Sequence, residues 1–130
     1  MQAGPFTAIG LQFVVQSADR DIVRRVGSVL ASLTAEVAAE HLYDLSSAGD
    51  QWRLTFDGML VEESDSVDHC IAMLMWHINQ QAVASRPDML MVHASVAEWR
   101  GHAILLPASE ESGKTTLVAG LVRAEESAHR

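Results

Sequence analysis

A chain of 130 residues with 48% apolar and 20% charged side chains is long enough to bury a hydrophobic core and too apolar to stay disordered, so one folded domain is expected. Seventeen acidic against nine basic residues leave a formal charge of -8, which repels phosphate backbones and argues against nucleic acid as a partner. The single cysteine, Cys70, excludes an internal disulfide. No apolar run reaches the ~18 residues of a spanning helix, and the N-terminus lacks the pattern of a signal peptide, so no membrane partner and a cytoplasmic location are expected.

In chain order, Phe6–Val15 is rich in β-branched and aromatic residues and predicts one strand. Asp19 then caps a helix whose apolar positions Ile22, Val23, Val26, Val29, Leu30 and Leu33 recur at helical spacing. Leu42 to Ala48 predicts a strand ending in a Gly49-Asp50 turn. Trp52, Leu54 and Phe56 alternate with polar residues as a half-buried strand does, and Asp57-Gly58 is a hairpin signal that returns the chain through Met59–Val61. The acidic run Glu62–Asp65 predicts a solvated loop. Asp65 or Ser66 caps a second helix with the stripe Val67, Cys70, Ile71, Leu74, Met75, Ile78 and Ala82, among which Cys70 fits as a small buried hydrophobe. Pro87 stops that helix, Met89–Ala97 predicts a buried strand, Arg100-Gly101 a turn, and His102–Leu106 a returning strand closed by Pro107. The fold class is therefore mixed α/β: an α/β portion over 1–86, a strand hairpin with loop and helix over 87–124, and a tail over 125–130.

The chemistry lies after that hairpin. The stretch Ala108-Ser109-Glu110-Glu111-Ser112-Gly113-Lys114-Thr115 matches the phosphate-binding pattern GxxxxGK(S/T), the Walker A motif, with Ala108 in place of the first glycine. It lies between a predicted strand and a predicted helix beginning at Thr116. Phosphate oxygens are held by converging backbone N–H groups at a helix N-terminus. The expected cradle is Ser109, Glu110, Glu111, Ser112, Gly113, Lys114, Thr115 and Thr116. Gly113 permits close approach, Lys114 supplies a point charge to the β and γ phosphates, and the Thr115 hydroxyl is placed to ligate magnesium.

The residues His93-Ala94-Ser95-Val96, Gly101, Ile104-Leu105-Leu106-Pro107 and Glu111-Ser112-Gly113-Lys114-Thr115-Thr116-Leu117 resemble the core of HPr kinase/phosphorylase and its bacterial relatives. The resemblance spans about Leu90 to Arg123. It implies a P-loop of the phosphoenolpyruvate-carboxykinase type, ATP or GTP with Mg2+ as the cofactor, and phosphoryl transfer to a serine hydroxyl on a small carrier protein or peptide. It also implies that His93 lies near the active site, beside the alternative of a buried, hydrogen-bonded imidazole on an apolar strand. Glu111 stands where the family usually has glycine. Like charges at ~4 Å repel by about 4 kcal/mol at an effective dielectric near 20, so Glu110 and Glu111 are expected to point away from a bound polyphosphate. The family's later strand, with its magnesium-binding and catalytic aspartates, has no counterpart after Val122, which predicts a fragment that is inactive alone.

Other constellations carry less. The spacing of His69 and His77 fits no recognised metal set, and no GxSxG elbow supports a hydrolase. Trp52, Trp76 and Trp99 are too scattered for a base-stacking platform. The expected function is nucleotide and magnesium binding by part of an HPr-kinase-like serine kinase. The alternative is a non-enzymatic protein-interaction module with a degenerate P-loop.

Overall fold

The computed structural model describes residues 1–92, 94–99, 101–109 and 112–128. The protein is mixed α/β, and its contacts divide it into two compact units, Met1–Met89 and Leu90–Arg130.

The first unit is a five-stranded sheet backed by two helices, in chain order β1 (Gln2–Ala8), β2 (Leu11–Gln16), α1 (Arg20–Val29), a 3-10 turn (Ala31–Leu33), β3 (His41–Ala48), β4 (Gln51–Phe56), β5 (Met59–Ser64) and α2 (Val67–Ala84). The spatial order of the strands follows the chain. β2 and β3 run parallel, joined by the α1 crossover, while every other neighbouring pair is antiparallel. Alternation along each strand sends Phe6, Phe13, Val15, Tyr43, Leu45, Leu54 and Phe56 to one face, where they meet Ile22 and Val26 of α1 and Cys70, Leu74, Ile78 and Ala82 of α2 in a single core.

Both helices start as the sequence predicts. The Asp19 carboxylate accepts from the N–H groups of Asp21 and Ile22, and the Ser66 hydroxyl accepts from His69 N–H, satisfying donors that a helix start leaves open. Asp57 and Gly58 both have positive φ, 49° and 81°, as a two-residue β4–β5 hairpin of the type I′ kind requires.

Three expectations are corrected. The predicted strand Phe6–Val15 is two strands, because Ile9 and Gly10 turn the chain with φ of 53° and 103°. The predicted loop Glu62–Asp65 is largely strand, because β4 pairs as far back as Trp52 with Ser64; the register shift between Leu54 and Thr55 leaves Val61 without an opposite residue and places Glu62 across from Leu54. The helix predicted to carry its apolar positions through Leu33 ends at Val29, which is exposed, and Leu33 falls in the 3-10 segment.

The second unit contains the hairpin β6 (Ala94–Trp99) and β7 (His102–Pro107), then α3 (Lys114–Ala128), which packs against β6. The strand predicted over Met89–Ala97 is shorter and more exposed than expected. Pairing of Trp99 with His102 at the turn brings Ala94 opposite Pro107, the last residue of β7, so among the described residues Met89–Val92 have no partner strand. Among the described residues no helix is long and apolar enough to cross a membrane.

Candidate functional site

The candidate phosphate loop belongs wholly to the second unit and runs from the end of β7 into α3. Pro107 ends the strand, and the chain re-enters regular structure at Gly113, whose φ of 81° is open to glycine and strained for other residues. The Gly113 carbonyl accepts from Leu117 N–H at 3.0 Å, making it the cap residue of α3. The first N–H groups of α3, from Lys114 to Thr116, then have no acceptor within the helix, as at every helix start.

The first turn of α3 contains no acidic residue. It carries Lys114, Thr115 and Thr116 instead, although a cation at this end opposes the helix dipole. The Lys114 side chain turns back over the loop. Its ammonium donates to the Ala108 carbonyl at 2.9 Å, to the Ser109 carbonyl, and to the Ser112 hydroxyl at 3.4 Å. Beside it is an open cavity of about 260 Å³, lined by Leu106, Pro107, Ala108, Ser112, Gly113 and Lys114 among others. Among the described residues, a Cβ added at Gly113 would meet nothing within 4 Å.

Of the sequence-predicted residues, the structure brings Ser109, Ser112, Gly113 and Lys114 together around one ammonium group. Thr115 and Thr116 lie exposed in the first helical turn, so α3 begins two residues earlier than the sequence predicts. Glu110, Glu111 and His93 lie outside the described residues. The donor set suits a nucleotide polyphosphate with magnesium: one ammonium, a hydroxyl at the next position, backbone N–H groups and open space. Among the described residues no three His, Cys, Asp or Glu side chains form a ready metal cluster; the side-chain oxygens of the described loop are the hydroxyls of Ser109, Ser112, Thr115 and Thr116.

A second polar constellation, in the first unit, escaped the sequence reading. The Tyr43 hydroxyl and His77 Nδ1 lie 2.9 Å apart between β3 and α2, and the ring of Phe56 packs on both. Burial lowers the His77 pKa and, with a smaller contribution from the Asp57 charge, raises that of Tyr43. Both groups are therefore neutral at pH 7. At the edge of this cluster His41 Nδ1 lies 2.8 Å from Asp57. Burial opposes ionisation of that carboxylate, but the Leu42 N–H and the His41 ring outweigh it and hold the Asp57 pKa down. The signal was present as Tyr43 and His77 at core-facing positions of their elements, but the pairing depends on tertiary register. Cys70 is fully buried, and burial, then the Glu62 charge, raises its pKa, which makes it an inert thiol.

Comparison with family models, with curated proteins and with solved structures finds no match to this chain.

Proposed function

We propose that the loop Ser109–Thr116 binds the polyphosphate of ATP or GTP with Mg2+, as the nucleotide-holding part of a serine kinase resembling HPr kinase. The observation that carries this reading is Lys114: a lysine in the first turn of α3, against the helix dipole, with its ammonium held over the loop by the Ala108 and Ser109 carbonyls. A residue that breaks a local electrostatic rule is expected where function requires it.

In this reading the nucleotide phosphates take the place of those carbonyl oxygens as partners of the ammonium. Lys114 then neutralises charge on the β and γ phosphates, Gly113 lets the backbone approach, and the N–H groups opening α3 donate to phosphate oxygens. Thr115 would hold magnesium through its hydroxyl, and the ion would supply positive charge to the phosphates. The phosphoryl acceptor is the hydroxyl of a serine on a small carrier protein or peptide. The family resemblance carries that assignment, and no described residue is given the role of catalytic base.

The test is a calorimetric titration of the chain with ATP and with GTP, each with and without magnesium. Magnesium-dependent binding is the expected result. Absence of binding by well-folded protein refutes the proposal and leaves the alternative, an interaction module with a degenerate loop.

A further inference from the structure

The two edges of the five-stranded sheet differ. At β1, Pro5 removes a donor, the register shifts between Ala3 and Phe6, and the segment after α1 covers part of the strand through a Phe6–Thr34 bridge and a bond from Ala35 N–H to the Pro5 carbonyl. These features blunt an edge against further pairing. The β5 edge has a bulge at Val61 but neither proline nor lysine, and its first residues, Met59 and Leu60, are 67% and 61% exposed. Across from them on α2 stands Trp76, 53% exposed. Together with Phe56, His77 and Gln81 these residues line an open groove of about 380 Å³ along the strand. The groove is thus apolar at the Met59 end, with polar atoms at its side.

The other end is acidic. β5 and α2 together contain no lysine or arginine, yet Glu62, Glu63, Asp65 and Asp68 follow one another along the strand and into the helix. Arg53 of β4 pairs with Glu63, and Arg25 of α1 with Asp68; Glu62 accepts from the Glu63 N–H at 3.2 Å and lies 3.7 Å from His69. A second copy of this chain pairing antiparallel along the length of β5 would set Glu62 and Glu63 opposite Val61 and Leu60 of the other copy, which gives the carboxylates no cation. A basic strand supplies one.

We infer that the β5 edge and the Met59–Trp76 groove dock an extended, basic segment of another protein by strand addition, with an apolar side chain in the groove and lysine or arginine side chains over Glu62–Asp65. Backbone hydrogen bonds to β5 supply affinity, and the groove and carboxylates supply selection. This site lies in the first unit and is independent of the nucleotide loop.

The experiment titrates the isotope-labelled full chain with a ten-residue peptide of alternating valine and lysine and follows backbone amide resonances. Expected are shifts and slowed hydrogen exchange centred on Met59–Ser64, weakened by added salt. Binding should be absent for the peptide with glutamate in place of lysine and for one N-methylated at alternate residues. Leu60→Lys and Trp76→Ala, both at exposed positions, should each weaken binding about tenfold or more, while Val29→Lys on α1 leaves it unchanged. The proposal is overturned by an absence of shifts at millimolar peptide, by shifts elsewhere, or by equal binding of the glutamate peptide. It is equally overturned if sedimentation shows a dimer that Leu60→Lys dissolves, which would make the occupant a second copy.

Discussion

Replacing Lys114 by alanine tests the phosphate loop most directly. In the free protein the ammonium bonds to the Ala108 and Ser109 carbonyls, and binding a polyphosphate gives up those contacts at a net cost of about 1 kcal/mol each. Against this, an ammonium and a phosphate charge ~4 Å apart attract by about 4 kcal/mol at an effective dielectric near 20. The difference, about 2 kcal/mol, corresponds to roughly a 30-fold weakening of the Kd for Mg-ATP or Mg-GTP in the variant. The side chain fills no core position, and the carbonyls it leaves are in exposed residues that water can reach. Unfolding free energy from urea titration should therefore change by less than ~1 kcal/mol. Calorimetric titration of both proteins measures the first quantity. A variant that keeps its fold and binds within about threefold of the parent would refute the role given to Lys114.

Three further outcomes are expected. Ile9 is a half-exposed β-branched residue at φ 53°, a conformation that asparagine adopts more readily, so Ile9→Asn should raise the unfolding free energy by about 1 kcal/mol in denaturant titration. Asp19→Ala removes the carboxylate that caps α1 and should lower it by about 1 kcal/mol. His77 has a folded pKa below its ordinary 6.5 because burial disfavours the cation; below pH 6.5 the unfolded chain therefore binds the proton first. Stability should fall from pH 6.5 down to the lowered folded pKa and depend no further on this group below that, and urea midpoints for His77→Gln should lose that component of the pH dependence. An unchanged pH profile in the variant would remove His77 from the account.

Much of the first unit was legible because local signals and tertiary pairing agree there. Trp52, Leu54 and Phe56 alternate and lie against one face of the sheet, Asp57-Gly58 turns as that pair favours, and Asp19 and Ser66 cap the helices that follow them. The Ile9-Gly10 turn was hidden because isoleucine is sterically disfavoured at positive φ, so its presence reads as strand. Glu62–Ser64 looked like a loop because no local rule announces a bulge, and the Val61 bulge is what reverses the alternation there. Met89–Val92 form an apolar run that reads as strand, but a strand needs a partner, and among the described residues the β6–β7 register gives them none. In the loop, the consecutive Gly113, Lys114 and Thr115 were visible as a motif. The turning of Lys114 onto the Ala108 and Ser109 carbonyls was not, since backbone acceptors have no sequence signature. Nor was the Tyr43–His77 contact, which joins two elements through a register that residue types do not encode.

The parallel seam between β2 and β3 bears on the order of folding events. Three of the four strand pairings in the first unit close through turns of two residues, at Ile9-Gly10, Gly49-Asp50 and Asp57-Gly58, and such hairpins form in microseconds with little loop entropy to overcome. The seam instead brings residue 13 against residue 41 with all of α1 between them. It is the step of highest contact order in the sheet and the natural site of the rate-limiting encounter. By this contact-order argument the expected order is a hairpin and a three-stranded meander first, joined last along the seam. Lengthening the connection at 36–40 should slow folding while leaving the unfolding rate almost unchanged, a signature that stopped-flow chevrons resolve directly.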